Sequence, residues 1–122
     1  MIAKVQDIDA FRISYVFAMD IFQLTRSFPK QEMYSLTDQL IRSSRSISAN
    51  IAEGWGKRIY ENEFKKHLIY SMGSLEETKC WLIFAKDCKY LPLEIFEELL
   101  KKADEIGAKI YKLHENWRSF QR

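Results

Sequence analysis

His67 and His114 are the only histidines of the chain, and Cys80 and Cys88 its only cysteines. A bundle of helices can hold two metals with one Glu from each of two helices and a Glu-x-x-His from each of the others. Phe64 and Tyr111 stand three residues before the histidines, so neither has that motif. Glu63 and His67 are spaced i,i+4 and are expected as a hydrogen-bonded surface pair rather than a metal site. The cysteines lie eight residues apart. On one helix that is ~12 Å, too far for a disulfide. No cationic cluster adjoins either one to make a thiolate, so both are expected reduced and packed in the core. The chain has no G-x-x-x-x-G-K, H-E-x-x-H, G-x-S-x-G or C-x-x-C. Gly54-Trp55-Gly56 lacks the preceding strand that a phosphate loop needs. The chain reads as no enzyme, with no cofactor and no metal.

Two other groups carry possible function. Lys57, Arg58, Lys65 and Lys66 gather around Trp55 and Tyr60. Aromatics interleaved with cations can stack on bases and neutralise phosphates. Trp55, Lys57, Arg58, Lys65 and Lys66 are therefore the candidate nucleic-acid contacts. The competing reading is a solvated face, since Glu61 and Glu63 dilute the charge.

The second group is Gln39, Arg42, Ser46, Asn50 and Glu53, a polar line ~110° round a helix from the apolar line of Leu40, Ile47 and Ile51. Glu53 stands in the last turn, where the helix dipole disfavours an anion. Arg42 is ~16 Å away along the same helix, so it cannot serve as partner. Arg58, the third helix, or Arg42 of the partner subunit must supply one. The five residues are candidates for a polar network at a subunit interface; the competing reading is a hydrated helix edge.

The elements that must position these groups are helical. A first helix is expected from Asp7 or Asp9 to about Ser27, with one stripe of Phe11, Tyr15, Ala18 and Phe22 and another of Phe17, Ile21, Leu24 and Phe28. Pro29 ends it. Ser35 or Thr37 is expected to cap the second helix, and Gly54 and Gly56 to stop it. The third runs from about Tyr60 to Cys88. Gly73 and Ser74 in its middle lower helix propensity, which points to another backbone passing close by. The fourth runs from Pro92 to Phe120, apolar at Phe96, Leu99, Ala103, Ile106, Ile110, Leu113, Trp117 and Phe120. Glu97–Lys101, Glu98–Lys102 and Glu105–Lys109 have the favourable i,i+4 order. No segment alternates with period two.

A chain of 122 residues, 47% hydrophobic and 30% charged, fits one domain over 1–122. Eight Phe, six Tyr and three Trp exceed the interior of so small a bundle, which places some at a subunit interface. The net charge of +2 does not by itself argue for nucleic acid. No charged leader precedes an apolar run and no stretch nears the ~20 apolar residues of a membrane span. A cytoplasmic protein with no membrane contact is expected.

Ser46-Ile-Ser-Ala-Asn-Ile-Ala-Glu-Gly54, preceded by Gln39 and Arg42, resembles the signature of the four-helix bundle proteins encoded in bacterial 23S rRNA intervening sequences, also labelled S23 ribosomal protein. Phe28-Pro29, Glu32, Leu36, Phe64 and Gly73-Ser-Leu-Glu-Glu77 extend the likeness, which is dense from about Phe28 to Leu91. Ile41 stands where the family often has an arginine, Ser43 and Ser44 where it has alanines, and Ser48 where proline is common. The resemblance implies an all-α, antiparallel up-down four-helix bundle assembling as a ring-like homopentamer, and little about activity. A related accessory protein of diversity-generating retroelements forms a similar barrel and binds nucleic acid and a reverse transcriptase. The partners expected are therefore further copies of the chain, RNA or DNA, and a nucleic-acid enzyme. The alternative is a protein–protein scaffold that touches no nucleic acid.

Overall fold

The computed structural model describes residues 1–119. Among these there are four α-helices and no strand: α1 at Asp9–Thr25, α2 at Leu36–Gly56, α3 at Glu61–Asp87 and α4 at Leu93–Asn116. α1 packs against α2 and α4, and α3 packs against the same two, so α1 and α3 face each other across the diagonal. All four contribute to one core that includes Phe17, Ile21, Leu40, Ile47, Ile51, Phe64, Leu68, Leu82, Ile106 and Ile110. The expected apolar line of α2 is buried, as is that of α4 from Phe96 to Ile110, with Leu113 and Trp117 half-buried. In α1 the line of Phe17, Ile21 and Phe28 is buried, whereas Tyr15 on the other line is exposed.

Helix ends depart from the sequence reading for identifiable reasons. α1 stops at Thr25, whose hydroxyl donates back to the Phe22 carbonyl, as Ser27 does to Leu24. Neither Ser35 nor Thr37 caps α2. Glu32 does so from the short 3-10 turn Lys30–Glu32, its Oε1 accepting from Leu36 N–H and from Ser35 Oγ. α2 ends at Gly56, as expected, but runs through Gly54, and no described glycine has a positive φ. α4 ends at Asn116 instead of continuing to Phe120, which lies outside the described residues. Trp117 turns extended there, and its ring packs on Phe64 at 4.6 Å between centroids.

Among the described residues the left-handed one is Lys89, at φ 65° after α3. Lys89 N–H returns to Lys86 O and Tyr90 N–H to Ala85 O, which is a Schellman closure built without glycine. That turn carries Tyr90 back across the end of the fold. Its ring meets Phe28 at 5.4 Å, and its hydroxyl donates to Glu32 Oε2 at 2.7 Å. One carboxylate thus caps α2 and ties the α3–α4 connection to the α1–α2 connection. The hydroxyls of Ser35 and Tyr90 hold the Glu32 carboxyl below its usual pKa, and the same carboxylate pushes Tyr90 up to about 12.

The i,i+4 pairs expected along α4 give way to pairs between helices. Lys102 reaches Asp20 at 3.4 Å and Lys109 reaches Asp9 at 3.8 Å, both on α1. These are exposed and contribute ~0–1 kcal/mol each, against ~1.5–3 kcal/mol for each fully buried Leu, Ile or Phe. The core therefore sets the fold and the ion pairs trim it.

Gly73 was expected to sit beneath another backbone, but a Cβ there would meet nothing within 4 Å. Close approach occurs at Gly54 instead, where a Cβ would lie 2.7 Å from His67 Cβ and 3.0 Å from Phe64 Cδ1. Gly54→Ala is expected to destabilise the protein by ~1–3 kcal/mol through overpacking. Gly56→Ala, in open space, should match the parent or exceed it, and urea unfolding of both variants checks the contrast.

Tyr90→Phe should be less stable at neutral pH. A lowered carboxyl stabilises fully above its ordinary 4.5 and loses that contribution as pH falls through the lowered value. A raised phenol stabilises fully below 10 and loses it on the way to about 12. The parent's advantage over Tyr90→Phe should therefore narrow on both the acid and the alkaline side, as read from unfolding midpoints across pH.

Candidate functional site

Helix α3 runs so close to α2 at Gly54 that the side chains between them must be small or mutually bonded. They are both. From the Gly54 end, His67 faces Asn50, Ser71 donates to Ile47 O at 2.7 Å, Ser74 to Ser46 Oγ at 3.0 Å, and Thr78 to Ser43 Oγ at 2.9 Å. As α3 advances, the partners on α2 step backwards. Among the described residues no buried side-chain nitrogen or oxygen lacks a hydrogen bond.

Asn50 is the centre of this seam. Its Nδ2 donates to Ser46 O at 2.9 Å and to Ser46 Oγ at 3.0 Å, while its Oδ1 lies 3.2 Å from His67 Nδ1. His67 Nε2 is 3.1 Å from Lys57 Nζ. An ammonium only donates, so Nε2 accepts from it, and Nδ1 carries the proton donated to Asn50. Glu53 Oε2 closes the group at 3.4 Å from Lys57 Nζ and 3.8 Å from His67 Nε2. Tyr70 lies edge-on to the imidazole at 5.5 Å.

Several expectations are corrected here. His67 is a buried seam residue, 5% exposed, and not a surface partner of Glu63, which pairs with Lys66. Glu53 takes its partner from Lys57 of its own segment, at 3.4 Å, rather than from Arg58 or from Arg42 of another subunit. Ser46, Asn50 and Glu53 of the polar line come together, whereas Gln39 is exposed and Arg42 reaches only Asp38 at 3.9 Å. With both ring nitrogens engaged, the imidazole positions helices and has no lone pair left for a substrate. Cys80 and Cys88 are exposed, not packed in the core. Among the described residues no three His, Cys, Asp or Glu could hold a metal ion together, and no helix is long and apolar enough to cross a membrane.

The basic group also divides. Lys57 belongs to the seam, Lys65 pairs with Glu61 at 3.4 Å and Lys66 with Glu63 at 3.3 Å. Arg58 instead lies 3.8 Å over the Trp55 ring and donates to Trp55 O at 3.0 Å. Reading α4 as helical to Phe120 concealed what stands beside it. Trp117 meets Trp55 edge-on at 6.0 Å, and Ser119 Oγ donates to Arg58 O at 2.6 Å. Ser119 N–H also donates to Glu61 at 3.1 Å, which with Lys65 keeps that carboxyl below its usual range. The unbroken apolar spacing through Trp117 gave no sign of this turn.

A chain of four helices around one core, with a small-residue polar seam between its second and third helices, defines a helical-bundle class of protein. Its residues 6–112 match the model of the 23S rRNA-intervening sequence protein family, and the chain belongs to that family. A crystal structure of a protein with unknown function from the S23 ribosomal protein family, from Bacteroides thetaiotaomicron VPI-5482, is similar in fold. The TM-score is 0.79 at 23% identity, over 88% of this chain and 96% of that one. No curated protein matches the chain in sequence.

Asn50→Leu would leave the buried His67 Nδ1–H without its acceptor and is expected to cost ~1–3 kcal/mol. Glu53→Ala removes a side chain 58% exposed, and its cost should stay below ~1 kcal/mol. Thermal and urea unfolding of the two variants check the order. Equal midpoints would mean that water serves His67 as well as Asn50 does.

Proposed function

We propose that the protein is a non-enzymatic, antiparallel up-down four-helix bundle, one domain over 1–122, that assembles with copies of itself into a ring. The order of the seam bonds supports opposed directions for α2 and α3. The pairs Asp9–Lys109 and Asp20–Lys102 do the same for α1 and α4. The observation that carries assembly is the outward side of α3. Besides its buried line, α3 exposes Ile69 at 48%, Tyr70 at 51%, Ile83 at 45% and Phe84 at 53%. These apolar side chains stand among Lys66, Glu76 and Glu77 on the exposed side, the mixed character of a surface that meets a partner. Tyr70, Gly73 and Phe84 fall within ~60° of one another on that face. Gly73 leaves an open floor between two rings where a second helix could lie close. The homopentamer implied by the family resemblance is the stoichiometry we adopt.

The ring would present its basic surfaces in repeat to RNA or DNA, or to a nucleic-acid enzyme, in a cytoplasmic setting. The second reading, a scaffold with no nucleic-acid contact, draws support from the carboxylate partners of Lys57, Lys65 and Lys66. Retention of the parent on heparin across a salt series separates the two.

Gly73→Leu tests assembly. The position is open in the subunit, so the variant should unfold at or above the parent's midpoint yet sediment as a smaller species. A parent that sediments as a monomer, or a variant that sediments with the parent, would overturn the self-assembly reading.

A further inference from the structure

We propose that the cleft between the end of α2 and the segment after α4 seats one nucleotide of single-stranded nucleic acid, with its base stacked on Arg58 and its phosphate held by Arg58 and Arg118. The inference rests on the nucleic-acid part of the function proposed above and supplies it with a site. The cleft has a volume of about 530 Å³, and its walls include Ile2, Trp55, Arg58, Ile59, Trp117 and Arg118. That size suits a small organic ligand.

The charge in this cleft differs from that of the three lysines of the basic group. Lys57, Lys65 and Lys66 each have a carboxylate within 3.4 Å. Arg58 donates to the Trp55 carbonyl, and Arg118 to the carbonyls of Glu115 and Trp117. Among the described residues neither guanidinium forms an ion pair with a carboxylate. A guanidinium has five N–H donors, so each keeps donors for an anion. Glu61, whose field reaches Arg118, is itself held by Ser119 N–H and Lys65.

The flat surfaces select the ligand. Arg58 is exposed, and its guanidinium rests over the Trp55 ring at 3.8 Å. The outer side of that supported cation is a plane on which a base can stack, giving a tryptophan–guanidinium–base sandwich. Ile59, 73% exposed, offers an apolar edge beside it. A base can reach such a plane only when it is out of a duplex. An acidic peptide would satisfy the charge and leave the plane unused. In a ring the seat would recur once per subunit, and a strand passing from seat to seat would gain avidity.

The test is fluorescence anisotropy of a labelled single-stranded oligonucleotide with the intact protein, run beside the same sequence as a duplex and beside a polyglutamate peptide. The single strand should bind tightest. Arg58→Gln should weaken it about tenfold through lost stacking. Arg118→Gln should lower the slope of log affinity against log salt by about 0.7. Arg58→Lys, which keeps charge without the plane, should not restore the affinity. Lys65→Gln with Lys66→Gln should leave it unchanged, and circular dichroism should report parental helix content for every variant. Binding by the parent that survives both arginine changes but falls with the lysine pair would overturn the seat and leave the nucleic-acid reading standing. A preference for duplex or for polyglutamate would also overturn the seat. No binding of any nucleic acid at low salt would overturn both.

Discussion

A Cβ at Gly54 would meet His67 at 2.7 Å, and this contact sets the distance between α2 and α3. Interiors pack at crystal density and do not yield a methyl group without strain. At that separation only small or mutually bonded side chains fit further along, and Ser43, Ser46, Ser71, Ser74 and Thr78 meet the requirement. The low charge of α2 and its run of serines follow from this geometry. The same approach carries His67 into the seam, where Asn50 and Lys57 occupy both its nitrogens.

The parts of the fold legible in sequence were those that depend on local periodicity. Four helices, their apolar lines and the break at Pro29 follow from spacing and from the chemistry of single residues. The polar line on α2 stood out because Asn50 and Glu53 had no reason to adjoin an apolar stripe unless something bonded them. What could not be read depends on residues far apart in the chain. Glu32 capping α2 while accepting from Tyr90 requires the Lys89 turn to exist first. The Trp117 turn requires Phe64 and Arg58 O to stand where they do. The i,i+4 rule predicted pairs along α4 because it knows nothing of Asp9 and Asp20 across the groove.

The candidate site was legible in composition and not in arrangement. Four cations near two aromatics suggested one patch, yet three of them had glutamates at helical spacing that neutralise them locally. Glu61 and Glu63 were visible as neighbours and read as dilution when their effect is pairing, and Glu53, read as part of the polar line, pairs with Lys57. Arg58 escapes because the residue four before it is Gly54, which has no side chain to offer. Its guanidinium turns to the ring of Trp55 instead. The glycine that admits α3 is thus also the reason one cation remains unpaired.

The outward apolar residues of α3 raise a question of specificity that the polar seam answers. Burial is non-directional and scales with apolar area. Ile69, Tyr70, Ile83 and Phe84 share their side of α3 with Lys66, Glu76 and Glu77, so burial favours the side of Phe64, Leu68, Leu75 and Leu82, but only as a broad arc. The hydrophobic effect therefore sets the buried side of α3 only coarsely. Hydrogen bonds are directional, and a buried donor left unmade costs ~1–3 kcal/mol. A rotation of α3 by one residue, ~100°, would move Ser71, Ser74, Thr78 and His67 off their partners together and leave several such groups orphaned. That penalty narrows the broad apolar arc to one rotation. The polar seam holds α3 in one orientation, and by doing so it decides which apolar residues of α3 stay exposed.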